Sequence, residues 1–582
     1  GDTNVARRTP IGDQYDKPAT CRDTPGGMVG GMRTIIIGGV AAGMSAATRL
    51  RRLDEHREIV VFERGSYVSF ANCGLPYYVG GVIEDRSSLL LQTPASLAAR
   101  FALQVRVRHE VVAIDVAKRT VTVRDLDAGD ERIEPFDDLV LAMGATTVDR
   151  LPGDGMPVVT LRSVEDVDAI TDALADVASP RAVVAGAGFI GIEAVENLVA
   201  RGAHVTLVQR GRQVLSPLDP EMVSPVHRAL ADAGVDLRTG VTVSSVDSEA
   251  VTLSDGTRVP ADLVVDARGV RPDVRIAEAA GIALGATGGI AVDDRHRTSV
   301  PGVWAVGDAV EKTDHLDGQA TLVTMAGLAN RHGRAAADDI AGAPTPAVTP
   351  ALGTTIVGVL GLTVGLVGWS ERRLVAAGRP HRVVHTHPFS HATYYPGAEQ
   401  MAMKLLIDPE TDLLLGAQIV GRAGVDKRLD VLAVAMTAGL TASALTQLEL
   451  AYAPQYGSAK DAINMAGYVA ENLATGADRT IQWHEVDAAR AAGAVVVDVR
   501  TAGEHDAGSI PGSILLPLDE LRERHGELPA APLIVHCKVG QRGHTASRLL
   551  QQLGHDVRNL DGGWLTWTDG VEAGLPRRGS AQ

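Results

Sequence analysis

The sequence predicts an α/β protein of several domains, and three observations carry that expectation. Two apolar strands each run into a glycine-rich turn, a helix and a second strand. A proline- and alanine-rich junction, Ala341 to Ala351, separates this pair from a third region. From about Ala491 a fresh alternation of strands and helices begins. At 582 residues the chain is too long for one core, and roughly 100–200 residues per domain gives three to five domains.

The first strand–turn–helix is "TIIIGGVAAGMSAATRLRRL", followed by the strand "EIVVFERG". The second is "RAVVAGAGFIGIEAVENLVARGAHVTLVQRG". In the second, Gly186, Gly188 and Gly191 complete the G-x-G-x-x-G pattern. The first glycine permits the turn, the second lets backbone approach a pyrophosphate, and the third lets helix and strand pack. The helix N-terminus adds partial positive charge. Phe189 and Ile190 lie inside this turn, and Gln209 ends the strand that follows. An acidic residue there would favour a free ribose 2′-hydroxyl and repel a 2′-phosphate. Gln209 does neither strongly, and Arg210 and Arg212 follow it, so both NADH and NADPH are expected to serve. The first motif has Gly38, Gly39, Ala42 and Gly43, but Val40 replaces the middle glycine, so a different backbone approach is expected there. Glu63, with Arg64 beside it, ends the next strand, where a carboxylate can hold ribose hydroxyls. Gly307 and Asp308 end a later strand, "GVWAVGDAV", and Asp308 could meet a ribityl chain.

Composition narrows the function classes. Hydrophobic residues make up 45% and charged residues 22%, as in a soluble globular protein. A net charge of −16 argues against a general nucleic-acid binder. No apolar run reaches the roughly 18–20 residues of a membrane span. The nearest, Ala351 to Trp369, is broken by glycine and threonine and reads as buried strands. Residues 1–31 lack the apolar region of a signal peptide and read as a disordered extension, with Met32 the natural beginning. Three cysteines, Cys21, Cys73 and Cys537, do not make a disulfide scaffold. A reducing cytoplasm fits, where a thiol is more plausibly catalytic than structural. Cys21 reads as an irrelevant exposed thiol, and no metal is expected.

Two nucleotide motifs in series with the late Gly-Asp resemble the two-dinucleotide flavoprotein disulfide reductases. That resemblance implies FAD on Gly38, Gly39, Ala42, Gly43, Glu63, Arg64, Gly144, Gly307 and Asp308, with NAD(P)H on the second motif. Most of that superfamily carries two cysteines separated by four residues. Here the positions on either side of Cys73 that would complete such a pair hold Val68 and Tyr78. "SFANCGLPYY", Ser69 to Tyr78, resembles the coenzyme A-disulfide reductase branch, which works with a single cysteine. Cys73 is then expected to pair with an external sulfur, and a helix start beside it to favour the thiolate. The branch's coenzyme A residues carry over to Ser45, Arg49, Arg52, Ser69, Asn72, Asn330 and Lys460. Ser45, Arg49 and Arg52 share one helix face, where two guanidiniums suit phosphates. A lysine that some relatives place near Phe101 is absent.

"SHATYYPGAEQMAMKLL" and "AYAPQYGSAKDAINMAGYVAEN" resemble the family's dimerisation domain. The resemblance implies a homodimer in which tyrosines reach the partner's site: Tyr452, with Tyr394 and Tyr395 as rival second candidates. Pro454 and Gln455 stand where relatives more often read Pro-Pro. "LIVHCKVGQRGHTASRLLQQLGH", with "VVVDVRTAGEHDAGSIPG" upstream and "NLDGGW" downstream, resembles a rhodanese domain. The resemblance implies a persulfide on Cys537, with Asp498, Arg500 and Glu504 in support. The loop Lys538, Val539, Gly540 and Gln541, the backbone N–H groups there and Arg542 are expected to favour its anion.

The fold implied is a two-dinucleotide-binding flavoprotein with an α+β dimerisation domain and an α/β rhodanese domain. The expected division places FAD binding at 32–148 and 270–345, NAD(P) binding at 149–269, dimerisation at 350–475 and rhodanese at 480–576. The activity expected is NAD(P)H-dependent reduction of persulfide or polysulfide sulfur, with coenzyme A persulfide the preferred substrate. The rivals are plain coenzyme A-disulfide reduction, an NADH oxidase or peroxidase, and a sulfur-relay protein.

Overall fold

The computed structural model describes residues 31–175 and 177–574. Cys21, and all of the expected N-terminal extension except Gly31, lie outside the described residues. Four five-stranded sheets organise the chain. The first is wholly parallel, in the order Val303–Ala305, Asp138–Leu141, Arg33–Ile37, Glu58–Phe62, Gln104–Arg106. Its centre is the run Ile35–Ile37 paired with Val60–Phe62, buried on both faces as a parallel sheet requires. The second is also parallel: Asp236–Thr239, His204–Gln209, Arg181–Ala185, Leu263–Asp266, Val158–Val159.

The two glycine turns share one geometry. Gly38 has φ +105° and Gly186 has φ +101°, conformations that a side chain resists. A Cβ on Gly43 would lie 1.9 Å from the Gly38 carbonyl, and one on Gly191 would lie 1.9 Å from that of Gly186. The turn itself therefore does not require glycine at position 40. Val40 and Gly188 each cap their helix with negative φ, a backbone state open to any residue. The helices Ala41–Leu53 and Ala326–Ile340 cross closely, since a Cβ on Gly333 would sit 2.1 Å from the Ala42 carbonyl.

The third sheet is antiparallel, in the order Thr355–Val359, Leu362–Gly368, Leu414–Gly421, Met401–Ile407, Arg382–Thr386. The helices Val425–Thr437 and Ala462–Ala474 pack with it around one core. The long apolar run is a hairpin here, turning at Leu360 (φ +51°) and Gly361 (φ +82°), as a tight two-residue turn demands. Its second strand is largely buried. Its first strand leaves Ile356 47% exposed, which corrects the reading of two buried strands. The fourth sheet is parallel and small: Thr480–Ile481, Val557–Leu560, Leu533–His536, Val495–Asp498, Ile514–Leu515. Among the described residues no helix is long and apolar enough to cross a membrane.

The C-terminal unit is locked onto the rest by buried polar groups. Its helix Gly563–Gly574 lies against the helix Pro220–Asp232, where Ser224 donates to the Asp569 carbonyl at 2.7 Å. His385 is buried between two carboxylates, with Nδ1 2.7 Å from Asp561 and Nε2 3.0 Å from Glu221. Burial opposes its charge, but Asp561 and Glu221 outweigh that and raise its pKa to about 9. Asp219, Glu221 and Glu371 gather closely enough to hold a cation, and Lys404 supplies one. Its Nζ lies 3.0, 2.5 and 2.5 Å from those three carboxylates, with the lysine side chain fully buried.

Candidate active site

A cavity of about 1850 Å³ opens along the C-terminal ends of the first parallel sheet. Gly38, Gly39, Ala42, Glu63, Arg64, Gly144, Gly307 and Asp308 line one part of it, and Gly188, Phe189 and Ile190 line another. Gly43, Gly186, Gly191 and Gln209 are not on its wall. Gly43, Gly186 and Gly191 shape the turns from behind, and Gln209 accepts a hydrogen bond from the Ala187 N–H at 3.2 Å. Glu63 accepts the N–H groups of Gly39 at 2.8 Å and Gly65 at 2.7 Å, which fixes its carboxylate at the strand end. Two observations show that the wall suits a dinucleotide. One oxygen of Asp308 is buried with no partner, and a Cβ on Gly188 would meet open space.

Ser45, Ser69, Asn72, Cys73 and Asn330 line the same cavity. Ser69 is held at φ +48°, a strained state for a non-glycine residue, and its N–H donates to the Gly39 carbonyl at 2.8 Å. The Cys73 segment is thereby tied to the first glycine turn. Cys73 sits in the 3₁₀ turn Asn72–Gly74 that leads into the helix Leu75–Val79. It is exposed to the cavity but enclosed by the walls around it. Ser45 donates to the Asn330 side chain at 2.6 Å.

The thiol's electrostatics reverse the sequence expectation. Burial pushes the Cys73 thiol up, and the Glu193 carboxylate adds to that. The helix beside it has only five residues, and among the described residues no N–H donates to its sulfur. Glu193, on the helix Phe189–Ala200, lines the cavity with the Tyr77 side chain close by. Burial and the neighbouring Glu196 raise its own pKa. Sequence reasoning missed Glu193, although it lies two residues beyond Gly191 on a helix already assigned to the site.

Arg49 and Arg52 also differ from expectation. Arg49 is ion-paired with Asp338 at 2.5 Å, Arg52 is exposed, and neither lines the cavity. The shared helix face is real, but the other long helix supplies a carboxylate that occupies its first guanidinium. Lys460, Tyr394 and Tyr452 are exposed on the dimerisation unit and are not on this cavity's wall. The Tyr394 and Tyr452 hydroxyls are 2.8 Å apart, whereas Tyr395 packs edge-on against His391.

The second thiol, Cys537, is buried at the end of the strand Leu533–His536. The Gly540 N–H donates to its Sγ at 3.2 Å, the one such backbone bond among the described residues, where several were expected. Arg542 faces the sulfur and is held by Glu504 at 2.6 Å, while Lys538 points to solvent. Val539 and Gln541 complete the loop into the helix Gln541–Gln552. Asp498 receives Arg500 at 2.6 Å and His505 at 3.0 Å beneath it. The Trp564 and Leu565 N–H groups take up the Cys537 and Lys538 carbonyls at 2.8 and 3.0 Å. Gly563, at φ +62°, makes this approach possible, since a Cβ there would lie 2.5 Å from the Cys537 carbonyl.

A cavity built on two glycine turns with one open thiol, joined to a separate thiol loop, defines a class. The chain belongs to the pyridine nucleotide-disulphide oxidoreductases, whose family description matches residues 32–328, and it carries that family's dimerisation domain at 354–462 and a rhodanese-like domain at 482–569. It is thus a flavin- and nicotinamide-dependent oxidoreductase. Among individual relatives, a coenzyme A disulfide reductase of Staphylococcus haemolyticus is 34% identical over 76% of this chain and all of its own length. Reduced Bacillus anthracis CoADR-RHD matches with TM-score 0.91 and 42% identity, covering 93% of this chain and 99% of that one. An NAD-dependent persulfide reductase of A. fulgidus matches with TM-score 0.86 and 34% identity, over 92% of this chain and 100% of its own. A water-forming NADH oxidase of Lactobacillus brevis, at 24% identity and TM-score 0.72, shares the fold.

Proposed function

We propose that the protein reduces coenzyme A persulfide and coenzyme A disulfide through Cys73 alone, with Cys537 handling sulfane sulfur. The observation that carries this reading is the single cavity holding Cys73, Ser69, Asn72, Ser45 and Asn330 beside the dinucleotide wall, with no second cysteine on that wall. The similarity to a coenzyme A disulfide reductase and to a persulfide reductase supports it. The glycine turn at Gly38, Glu63 and Asp308 would hold FAD, and that at Gly188 would hold NAD(P)H; together these groups supply the electron pair that the sulfur chemistry consumes.

The Cys73 thiolate attacks the outer sulfur of the persulfide, forming a Cys73 persulfide and releasing coenzyme A thiolate. Two electrons then cleave that S–S bond, returning the Cys73 thiolate and releasing hydrosulfide. With coenzyme A disulfide the first product is a Cys73–coenzyme A mixed disulfide, and two electrons yield two thiolates. Since burial and Glu193 disfavour the free thiolate, the cavity needs a proton carrier at hand, and the Tyr394–Tyr452 pair supplies one from a partner subunit. Val434, Tyr456 and Tyr468, exposed on the same unit, support a homodimer. The reading includes a cytoplasmic setting.

The test compares sulfide release and NADH consumption across coenzyme A persulfide, coenzyme A disulfide and peroxide. The persulfide is expected to turn over fastest and peroxide slowest. Peroxide as the fastest substrate would favour the oxidase class instead. Tyr452→Phe should slow sulfur reduction while flavin reduction by NADH stays near normal. Mixed dimers of Tyr452→Phe and Cys73→Ser chains should recover about half the activity, because one site keeps both groups. Heterodimers no faster than a Tyr452→Phe site would sink the trans assignment.

The reductant preference should be shallow. Gln209 is engaged with the Ala187 N–H and carries no charge to repel a 2′-phosphate. NADH and NADPH should differ by less than about a hundredfold in kcat/KM, roughly 2.7 kcal/mol at ~1.36 kcal/mol per decade. A larger ratio would place the choice in residues other than Gln209.

A further inference from the structure

Among the described residues two lysines are buried, and one of them has its charge answered. Lys404 is met by three carboxylates. Lys312 is 8% exposed, yet among the described residues it forms no ion pair. Its Nζ donates instead to the carbonyls of Gly307 at 2.7 Å and Val310 at 3.0 Å. An ammonium held out of water is unfavourable unless an opposite charge offsets it.

Its other neighbours bring no such charge. His296 and His332, 3% and 2% exposed, stack with ring centroids 4.1 Å apart. Neither ring nitrogen of His296 has a hydrogen-bond partner, and neither has Nδ1 of His332. His296 also holds φ +63°, a strained state for a non-glycine residue. Burial holds both imidazoles far below their ordinary pKa, and the Lys312 charge acts in the same direction, so both are neutral at pH 7.

The backbone that Lys312 holds belongs to the wall that would take FAD. Gly307 and Asp308 line the cavity, so the ammonium stands one peptide behind it. One oxygen of Asp308 is buried without a partner. The titratable groups facing Lys312 are Asp308 from its own turn, with Arg162 beyond it, and His296 and His332, with Asp293 and Arg331 beyond them. Burial pulls the Lys312 pKa down to about 8 against the opposing pull of Asp308. The side chain is therefore charged at pH 7 and loses its proton a little above it.

The hydride that NADH gives up brings two electrons and one proton to the bound flavin and leaves it with one negative charge, while NADH becomes NAD⁺. We propose that Lys312 is a positioning residue for this step: it anchors the Asp308 turn through the Gly307 and Val310 carbonyls and keeps a positive charge behind the FAD wall that favours the reduced, anionic flavin. The charge left unanswered within the protein is answered when the flavin is reduced. This rests on the flavin dependence of the family and is independent of which sulfur compound the enzyme reduces.

The experiment uses full-length, flavin-loaded protein in a Cys73→Ser background, so that no thiol in the cavity exchanges electrons with the flavin. The lysine form, Lys312→Met and Lys312→Arg are equilibrated with a dye of known potential, and the ratio of reduced to oxidised flavin is read by absorbance. At pH 7 and one fixed potential, Lys312→Met should lower that ratio about tenfold, equivalent to ~30 mV for a two-electron couple. Lys312→Arg should stay within about threefold of the lysine form. The deficit of Lys312→Met should shrink to under about twofold by pH 9.5, where the lysine is itself largely uncharged. A merely structural role would change flavin retention or the melting temperature without this pH profile. An unchanged ratio in Lys312→Met, a deficit that persists at pH 9.5, or an equal deficit in Lys312→Arg overturns the assignment. Should both variants shed flavin, the lysine form decides alone. Between pH 8 and pH 9 its ratio at fixed potential should fall about thirtyfold, because a proton taken up by Lys312 adds to the roughly tenfold fall that the hydride's proton requires. A fall of about tenfold or less overturns the assignment.

Discussion

Cys73→Ser is expected to abolish NADH-linked turnover of coenzyme A persulfide, by at least about a thousandfold, or roughly 4 kcal/mol at ~1.36 kcal/mol per decade. The cavity wall offers no other cysteine, so no neighbouring thiol can take over. Sulfurtransfer from thiosulfate or polysulfide to an added thiol should survive, because Cys537 lies in a separate loop on a separate sheet. Cys537→Ser should do the reverse. It should lose sulfurtransfer and keep much of the persulfide turnover, since a soluble persulfide enters the flavin-side cavity unaided. Both assays on both variants, with bound flavin quantified, make the check. Equal loss of persulfide turnover in the two variants would replace this bypass with an obligatory relay through both thiols in series.

Lys404→Met is expected to cost about 3–5 kcal/mol of stability, because it leaves buried carboxylates without their cation. Asp219 and Glu221 are almost wholly buried, and Lys404 is the ammonium that Asp219, Glu221 and Glu371 share. Burial alone would raise the pKa of Glu221, but Lys404 and His385 reverse this and hold it well below the usual carboxylate range. The same opposition brings Glu371 to about 2, with His381 and Lys404 as its partners. A carboxylate depressed in this way contributes stability above its unfolded pKa and loses it as pH falls through the folded value. In the variant that benefit is gone, so the gap to wild type should be largest near neutrality and shrink in acid. Urea unfolding at pH 3 and pH 7.5 measures it, and adding Glu221→Gln to the variant should recover part of the loss. A gap below about 1 kcal/mol at pH 7.5 would mean that water reaches the cluster and screens it.

The neighbouring His385 runs the other way in pH. Its pKa is raised to about 9 from an ordinary 6.5, so its contribution is complete below about pH 6.5 and is lost as pH rises through 9. His385 joins the second sheet's helix, through Glu221, to Asp561 beside the Cys537 loop. Alkaline pH should therefore loosen the C-terminal unit, with wild type losing on the order of 2 kcal/mol more than His385→Asn between pH 7 and pH 10. Parallel pH slopes of the melting temperature in the two proteins would remove His385 from that account.

What the sequence determined by itself is local. A glycine turn needs few residues, so Gly38 and Gly43, and Gly186 and Gly191, announce two strand–turn–helix units wherever the chain goes next. The placing of Cys73 in its turn and of Cys537 at its strand end was legible for the same reason, as was the mixed α/β class. What only the tertiary structure decided is charge and partnership across long separations. Whether the Cys73 thiol is eased or opposed depends on its burial and on Glu193, brought in from another sheet's helix. Whether Arg49 is free depends on Asp338, 289 residues away in the chain. His385, Glu221 and Asp561 come from three different units, and no spacing in the sequence joins them. Burial amplifies each of these pairings, since a charge removed from water is governed by the few groups that fold against it.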